Sequence, residues 1–418
     1  MTLYIGNRPV SVNSGIIFQD TRKCGVNISN LIGDVEFGKL QQPIGDIHFK
    51  IPEGVTDLGD YALSGLFAYN NKLKSVDFSN LERISGNYAC QFMCNYFNAA
   101  SLSVISNFTL NNIEISGNYA CQYMFYNCNS LTSIELNNIE LSGNNACSYM
   151  FSGCTYLTSV DLRNIKKISG NYVCQYMFQG CTRLTDIKLF NIDVVEGERS
   201  LQHMFNSAGS SSNITNQYTL DLTHWTKIVG DYKAYYAFAQ LNVYKIDLSN
   251  LKEINGNYAT YYLFYFSPIR ELDLSSLETI TGNYACGNMF YYYVYPTHID
   301  LHSLKTISGN YACSNMFYAS STKNLESIDL SSLETITGNY ACQGMFYGCN
   351  KLTTISFPSL TTIEGTNPFG TSGSNLMFYN CTGLKEIHFK ADMQSTVEAI
   401  PGYSTKFGAT NATIYFDL

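Results

Sequence analysis

Charged side chains are scarce in this 418-residue chain: Asp, Glu, Lys and Arg make up 14% of it, and the net charge is −8 at pH 7. A protein that binds the phosphate backbone of nucleic acids needs a basic stripe, so the acidic balance argues against that partner. No apolar run approaches the roughly 20 residues that cross a bilayer. The first residues also lack the basic leader and apolar stretch of a secretion signal. We therefore expect no nucleic-acid partner and no membrane insertion.

The chain also lacks the short motifs of common enzyme chemistry. It has no G-x-S-x-G nucleophile elbow, no phosphate-binding P-loop and no G-x-G-x-x-G turn. His298, Asp300 and His302 share one predicted strand face. Alternate strand residues lie about 6.6 Å apart, so the two histidines are separated by about 13 Å and cannot bind one metal ion. We expect a non-enzymatic protein with no catalytic residue, no cofactor and no metal site.

What the sequence does contain is an internal repeat. The phrase I-S/T-G-N-Y-A-C and its weaker copies recur around Gly59, Gly86, Gly117, Gly143, Gly170, Gly197, Gly230, Gly256, Gly282, Gly309, Gly338 and Gly365. Most copies lie 26 or 27 residues apart, and two longer gaps place insertions near 99–107 and 207–217. A unit this short cannot bury its own apolar face. The repeat therefore predicts units that stack into a solenoid.

Each repeat unit divides into a strand and a second short element. In one unit Ile134 and Leu136 alternate with polar residues, which predicts a strand with these two side chains inward. The segment 118–128 spaces its Tyr and Met residues as a helix does. We predict a short helix or 3₁₀ turn there, with Asn118 as its N-cap. Gly117 is predicted to form the positive-φ corner that precedes this element.

The blocks MFYNCNSL, MFSGCTYL, MFQGCTRL and MFYGCNKL, combined with the L-x-x-I-x-L strand pattern, resemble the BspA-like leucine-rich repeats. The resemblance covers roughly 51–389, although that family more often has A-F where this chain has M-F. It implies an α/β repeat solenoid, a curved array of about twelve units with short strands on the concave face and short helices or turns on the other. It also implies adhesion and recognition by microbial surface proteins, without fixed binding residues.

The two ends fall outside the repeat array. Residues 1–50 are predicted to form a small β-rich module with a hairpin around Gly6 and Asn7. Residues 51–390 form the solenoid, and 391–418 form a C-terminal cap whose last stretch is a strand. Both ends resemble repeat proteins encoded by gut bacteriophages and prophages.

Twelve of the fourteen cysteines occupy two columns of the repeat. They are Cys90, Cys121, Cys147, Cys174, Cys286, Cys313 and Cys342 in one column, and Cys128, Cys154, Cys181, Cys349 and Cys381 in the other. A small residue that recurs at one place in every unit fills a narrow buried slot. We therefore predict that these twelve thiols are reduced and unbridged, while Cys24 and Cys94 lie outside the two columns.

An acidic column follows the predicted strands. It consists of Asp77, Glu135, Asp161, Asp221, Asp247, Asp273, Asp300 and Asp329. The last five occur in consecutive units and are candidate binding residues on the concave face. Two interpretations are open. In the first, the acids form an exposed ladder whose charge repulsion is relieved by counterions and backbone N–H groups. In the second, they form a groove that attracts a cation or a basic partner.

Tyrosine is concentrated between Tyr232 and Tyr295, where thirteen of the 33 tyrosines lie. The candidates that exceed the repeat consensus are Tyr235, Tyr236, Tyr261, Tyr262, Tyr291, Tyr292 and Tyr293. Exposed tyrosines would form a contact patch for a protein or a sugar, because they offer large amphipathic area at low entropy cost. Lateral packing between units is the equally weighted alternative.

These observations favour non-catalytic binding. The leading hypothesis is a recognition or attachment protein on the exterior of a phage virion, which binds a protein or glycan receptor on a cell surface. The phage is favoured because no secretion signal is visible. The alternatives are a secreted bacterial surface adhesin, and a structural virion component that binds neighbouring subunits, with 1–50 as a further docking module.

Overall fold

A computed structural model describes residues 3–5, 8–10, 47–51, 54–68, 73–95, 107–210, 219–292, 296–318 and 325–418. The chain divides into two compact units, Met1–Ile214 and Thr215–Leu418. The boundary falls in the second insertion that the repeat spacing predicts. Both units are built from the 26- to 27-residue rungs of a parallel β-solenoid.

Short strands make up most of the regular structure. In chain order they are β1 (Leu3–Ile5), β2 (Arg8–Val10), β3 (Ile47–Lys50), β4 (Leu73–Asp77), β5 (Arg83–Ile84), β6 (Asn107–Asn111), β7 (Glu114–Ile115), β8 (Ser133–Asn137), β9 (Glu140–Leu141), β10 (Ser159–Asp161), β11 (Lys167–Ile168), β12 (Asp186–Lys188), β13 (Thr219–Asp221), β14 (Lys227–Val229), β15 (Lys245–Asp247), β16 (Glu253–Asn255), β17 (Glu271–Asp273), β18 (Thr279–Thr281), β19 (His298–Asp300), β20 (Thr306–Ser308), β21 (Ser327–Asp329), β22 (Thr335–Thr337), β23 (Thr354–Phe357), β24 (Thr362–Glu364), β25 (Glu386–Phe389) and β26 (Thr413–Phe416).

Each rung contributes strands to two separate parallel ladders. In the first unit the ladders are β6-β8-β10-β12 and β5-β7-β9-β11. In the second unit the first ladder is present as β13-β15-β17, β19-β21 and β23-β25-β26, and the second ladder is β14-β16-β18-β20-β22-β24. The predicted alternation is confirmed in β8, where Ile134 and Leu136 are buried while Glu135 is exposed. Register places Ile134 beside Phe108 and Val160, so the inward side chains of successive rungs form one apolar column.

The third side of each rung is a run of consecutive turns, which we call the turn ladder. The helix or 3₁₀ turn predicted over 118–128 is therefore wrong. Alternate N–H groups donate to the next rung, as from Tyr119 to the carbonyl of Asn144 at 2.9 Å. The N–H groups between them close turns within the rung, as from Gln122 to the carbonyl of Tyr119 at 3.2 Å. In this rung each backbone N–H from Tyr119 to Cys128 thereby donates to a carbonyl without a helix.

Every fourth residue of the turn ladder adopts a left-handed conformation. In one rung these residues are Tyr119, Tyr123 and Asn127, with φ of +57°, +56° and +60°. A left-handed conformation costs a non-glycine residue about 1–2 kcal/mol. The hydrogen bonds to the neighbouring rung offset that cost.

The glycine that opens each turn ladder has a different role in the two units. Gly117 has no positive φ, so the predicted corner is wrong there. Glycine is required because a Cβ would overlap the backbone of Gly86 in the preceding rung. In the second unit Gly282 does have a positive φ of +114°, and its Cβ would also meet the backbone of Gly256. Stacked glycines therefore let adjacent rungs approach closely in both units.

Asn118 does not cap its own segment, which corrects the N-cap prediction. Its side-chain oxygen accepts the N–H of Asn144 in the next rung at 2.9 Å, and its own N–H donates to the side chain of Asn87 at 3.0 Å. Asn283 and Asn310 repeat the arrangement in the second unit. The Gly-Asn pair thus joins rungs to one another.

The core is formed by repeated columns of Phe, Met, Leu, Ile and Cys. Thirteen cysteines are free and buried, which confirms the prediction for the twelve in-register thiols, and Cys24 lies outside the described residues. Burial raises the pKa of the Cys286 and Cys342 thiols to about 12. In the second cysteine column the thiol donates to a carbonyl of the preceding rung, as from Cys154 to Phe125 at 3.2 Å.

Both ends carry additional strands. β1 pairs antiparallel with β2 and with β3, and β3 pairs in parallel with β4. β26 pairs in parallel with β25, as expected for a terminal strand that continues the ladder. Among the described residues, the short helical segments are a five-residue α-helix (Gln394–Glu398) and four 3₁₀ turns (Ile192–Val194, Gly373–Asn375, Ala391–Met393 and Tyr403–Gly408). The division into 1–50, 51–390 and 391–418 stays a prediction.

Candidate functional site

The acidic column lies where the first strand of each rung ends. β13, β15 and β17 place Asp221, Asp247 and Asp273 in register, and β19 and β21 place Asp300 beside Asp329. The ladder of acids inferred from the sequence is therefore present in these two stretches.

Each of these carboxylates closes a local turn. Asp273 accepts the backbone N–H of Ser275 at 3.0 Å and its hydroxyl at 2.7 Å. The backbone N–H two residues on is bound in the same way by Asp77, Asp161, Asp221, Asp247, Asp300 and Asp329. The hydrogen bonds from the Thr223 hydroxyl and N–H hold the pKa of Asp221 below its usual value. The acids therefore shape the strand ends, and their role in binding stays a prediction.

The candidate tyrosines pack against one another along the turn ladder. The ring centroids of Tyr235 and Tyr261 are 5.9 Å apart with nearly parallel planes, and those of Tyr236 and Tyr262 are 4.6 Å apart. Tyr261 meets the edge of Tyr262 at 4.3 Å. Burial, followed by the neighbouring Tyr262, raises the pKa of Tyr261. All four side chains are half-buried, which fits the packing alternative while leaving part of each ring at the surface.

Tyr291 and Tyr292 lie in the next rung with ring centroids 4.5 Å apart, and Tyr293 lies outside the described residues. Burial, followed by the nearby Tyr318, raises the pKa of Tyr291. Both side chains are half-buried. The site inferred from the sequence is thus part of a larger set of stacked rings.

The rings of the second unit form rows that run from rung to rung. Row A follows each Gly-Asn pair and contains Tyr232, Tyr258, Tyr284, Tyr311 and Tyr340, with successive ring centroids 5.0, 5.0, 4.7 and 4.9 Å apart. Row C, seven residues further along four of these rungs, contains Tyr265, Tyr291, Tyr318 and Tyr347. Tyr379 of the next rung continues the stack, and the successive spacings are 5.8, 4.4, 4.1 and 5.4 Å. Row B lies between them, four residues after row A, and contains Tyr236, Tyr262, Asn288, Asn315 and Gly344.

Sequence reasoning missed most of row C. Tyr318 and Tyr347 stand in the M-F-Y part of the repeat consensus, so they did not appear as an excess. The signal that could have found them is the continuity of tyrosine at this position from Tyr265 to Tyr379. The same comparison shows that Asn288 and Asn315 occupy places where Tyr236 and Tyr262 stand.

The acids and the tyrosines belong to different sides of the rung. The acids lie at the end of the first strand, and the tyrosines lie on the turn ladder, so the two sets of candidate residues do not form one surface. The turn-ladder segments 283–292, 310–318 and 339–350 contain no Asp, Glu, Lys, Arg or His. The tyrosine rows of these rungs are therefore an uncharged surface.

The three side chains considered as metal ligands, His298, Asp300 and His302, have local hydrogen-bond partners. His302 Nδ1 lies 2.7 Å from Asp300, and His298 Nδ1 lies 2.8 Å from the Ser327 hydroxyl. Within the described part of the chain, no group of three or more His, Cys, Asp or Glu residues is arranged to hold a metal ion. No helix among those residues is long and apolar enough to cross a bilayer.

A family model described as the BspA type leucine rich repeat region matches six copies over residues 101–220 and 314–404, together half of the chain. The chain belongs to the BspA-type leucine-rich-repeat family. The resemblance carried by the M-F-x-x-C-x-x-L blocks is thereby confirmed. A leucine-rich-repeat solenoid is typical of non-enzymatic binding proteins, and proteins of this kind commonly bind other proteins or ligands.

Solved structures with similar chains share 11–16% identity with this one. A leucine-rich cell surface protein from Faecalibacterium prausnitzii is 16% identical, over 74% of this chain and 91% of its own, with a TM-score of 0.24. The pneumococcal vaccine antigen PcpA is 15% identical over 89% of both chains, with a TM-score of 0.28. Toll, solved with Spatzle from Drosophila, is 11% identical over 88% of this chain and 48% of its own, with a TM-score of 0.25. No curated protein has a sequence that matches this chain.

Proposed function

We propose that this leucine-rich-repeat chain is a non-catalytic recognition protein on the exterior of a particle or cell, and that it binds a surface receptor through the tyrosine rows of its second unit. The observation that carries the proposal is the uncharged turn ladder of stacked, half-exposed tyrosines between Tyr258 and Tyr347. Tyrosine is enriched among the residues that dominate binding interfaces, because its rigid ring offers apolar area and its hydroxyl offers a hydrogen bond.

Stacking prepares these rings for binding. A side chain that is free in solution loses rotamer freedom when a partner immobilises it, at about 0.5–1.5 kcal/mol for each long side chain. Tyr318 is held between Tyr291 and Tyr347, with ring centroids 4.4 and 4.1 Å away, so most of that freedom is already lost. A receptor therefore meets a preorganised surface.

The exterior of a phage virion is the proposed location, and a bacterial cell surface is the alternative. Antibody labelling of purified virions and of intact bacterial cells separates the two. Label on virions supports the phage, whereas label confined to cells supports the adhesin.

Binding of the purified protein to host cells tests the recognition surface. Tyr318→Ser should weaken cell binding by about thirtyfold, the equivalent of the roughly 2 kcal/mol carried by an interface anchor. Tyr126→Ser is the matched control, because Tyr126 occupies the row C position of a first-unit rung and is also half-buried. Thermal unfolding of both variants checks that the solenoid persists. Equal binding by both folded variants would move the contact site away from the second unit.

A further inference from the structure

Beyond Tyr262 the middle of the turn ladder changes from aromatic to small polar side chains. Row A continues as Tyr284, Tyr311 and Tyr340, and row C continues as Tyr291, Tyr318 and Tyr347. Between them the three rungs carry the pairs Gly287 and Asn288, Ser314 and Asn315, and Gln343 and Gly344. Short side chains flanked by two rows of rings make a shallow furrow that runs along the stacking direction. We call it the tyrosine furrow.

One end of the furrow is closed by a ring. Tyr261 leans over Gly287, since a Cβ on that glycine would lie 2.9 Å from the ring carbons Cδ2 and Cε2 of Tyr261. Tyr262 stands beside it, 4.3 Å from Tyr261 by ring centroids. The furrow therefore begins at the rung of Gly287 and continues over the rungs of Ser314 and Gln343.

The furrow offers hydrogen bonds without charge. On its floor the amide side chains of Asn315 and Gln343 are half-exposed, whereas Asn288 and Ser314 are buried. Its walls present phenol rings and hydroxyls, and no charged residue lies in the three turn-ladder segments. A ligand that matches this surface has many hydroxyl groups, apolar C–H faces and no charge. We propose that the tyrosine furrow binds a neutral polysaccharide, an inference that rests on the proposed recognition function.

The repetition of the furrow favours a polymer. The walls recur at three successive rungs and half-exposed floor amides occur at two of them, Asn315 and Gln343, so a chain of sugar residues that lies along the solenoid meets similar groups at successive rungs. Several weak contacts on one chain raise the overall affinity beyond that of any single contact. An acidic polysaccharide would find no basic side chain in these segments, and desolvation of its unpaired charges would oppose binding.

The test measures binding to dextran, mannan and galactan, with heparin as the acidic comparison, by affinity electrophoresis and calorimetry. Asn315→Tyr should weaken binding to the neutral polysaccharide by at least about tenfold, or 1.4 kcal/mol. The substitution fills the floor of the furrow with a ring that the backbone accepts, because Tyr149 occupies the equivalent row B position with φ of +56° and Asn315 has φ of +52°. Raising the salt concentration should leave binding unchanged, since no ion pair is involved.

Asn145→Tyr is the matched control. It adds the same ring at a left-handed position, with φ of +55°, in a first-unit rung that is not part of the furrow, so binding should be unaltered. Gln343→Ala is a second variant that removes one half-exposed floor amide without adding bulk, and it should weaken binding by a smaller factor. If the Asn315→Tyr variant does not fold, the polysaccharide binding of Gln343→Ala tests the inference.

Two results overturn the inference: none of the neutral polysaccharides binds, or the folded furrow variants bind as the natural protein does. Cell binding measured in parallel separates this failure from failure of the proposed function. Cell binding that falls in Tyr318→Ser while no neutral polysaccharide binds would retain the recognition surface and indicate a protein receptor. Polysaccharide binding that Asn315→Tyr abolishes supports the inference whichever cells are bound.

Discussion

The two units differ in the side chains that occupy row B of the turn ladder. In the first unit row B is aromatic, because Phe92, Tyr123, Tyr149, Tyr176 and His203 stack with ring centroids 5.0, 4.7, 4.7 and 4.7 Å apart. In the last rungs of the second unit row B becomes Asn288, Asn315 and Gly344, and the rings stand on both sides of it. Row B keeps a positive φ in both units, so the backbone is constant and the side chain is free to change. A filled row packs the rungs, and an unfilled row leaves a furrow.

The glycine column differs as well. In the first unit the second strands end two residues before the glycine, and the Gly117 N–H donates to the carbonyl of Ile84 in the preceding rung. In the second unit the strands reach the glycine, and the Gly256 N–H donates forward to Thr281 at 3.0 Å. This reversal accompanies the positive φ of +141° at Gly256. One repeat phrase therefore supports two backbone conformations at the same corner.

The largest effect is expected at these glycines. Gly282→Ala combines a positive φ with a collision against the backbone of Gly256, so it should lower the free energy of unfolding by about 2–6 kcal/mol. Gly230→Ala has the same φ class, at +122°, but meets only the flexible Lys233 side chain at 3.8 Å. It should therefore cost about 1–3 kcal/mol.

Gly143→Ala completes this series, because it adds a collision without a positive φ. Chemical denaturation of the three variants separates the cost of the positive φ from the cost of the collision with the neighbouring rung. If Gly230→Ala lowered the free energy of unfolding as much as Gly282→Ala does, the close approach between rungs would not contribute to the cost of the substitution.

The second prediction concerns the filled row. Tyr149→Asn converts a first-unit rung to the second-unit pattern and removes stacking on Tyr123 and Tyr176, each 4.7 Å away by ring centroids. It should lower the free energy of unfolding by about 1–3 kcal/mol, since an aromatic pair contributes about 0.5–1.5 kcal/mol beyond its buried area. Asn is compatible with the left-handed backbone, so the substitution adds no backbone strain to the loss of stacking. An unchanged unfolding curve would mean that row B stacking does not stabilise the first unit.

Much of the solenoid could be predicted from the sequence because the repeat aligns equivalent residues. The inward positions of Ile134 and Leu136 and the buried thiol columns depend on periodicity alone. The turn ladder could not be predicted, because a spacing of four between Tyr119 and Tyr123 fits an α-helix and a series of turns equally well. The difference lies in the hydrogen bond from Tyr119 to Asn144, a partner in another rung.

The candidate site was predicted only in part for a related reason. An excess of tyrosine drew attention to Tyr235, Tyr236, Tyr261 and Tyr262, of which Tyr261 closes one end of the furrow. The furrow itself depends on where tyrosine is missing, at Asn288 and Asn315, and that is visible only when rungs are compared position by position. The acids and the tyrosines both recur in successive rungs, and recurrence alone does not say which side of the rung a residue occupies.

The third prediction uses the histidine at the end of the first-unit row. Burial lowers the pKa of His203 to about 4, and the neutral ring stacks on Tyr176. Because the unfolded chain has the ordinary pKa near 6.5, it binds the proton first as pH falls. Stability is therefore complete above about pH 6.5 and declines between pH 6.5 and 4, by on the order of 1–2 kcal/mol after solvent screening.

His203→Tyr should remove this part of the pH dependence while continuing the ring row. The measurement is the midpoint of urea unfolding across that range for both proteins. If the unfolding midpoints of the two proteins fell equally with decreasing pH, the acid sensitivity would belong to another group.

The smallest effect is expected where a hydroxyl in the second unit replaces a thiol of the first. Ser267 donates to the carbonyl of Phe238 at 2.9 Å, and Cys154 donates to the carbonyl of Phe125 at 3.2 Å from the equivalent position. Each carbonyl also accepts a backbone N–H, from Leu241 at Phe238 and from Cys128 at Phe125, so removing either side-chain donor still leaves the carbonyl one partner. Ser267→Ala should therefore lower the free energy of unfolding by only about 0.5–1.5 kcal/mol, and Cys154→Ala by less, because a thiol is the weaker donor. Cys154→Ser should be close to neutral, since the hydroxyl keeps the hydrogen bond in a slot that accepts serine elsewhere in the chain.

Denaturation of the three variants under reducing conditions checks this order. A larger loss in Cys154→Ser than in Cys154→Ala would mean that the column selects cysteine for apolar packing and not for its hydrogen bond.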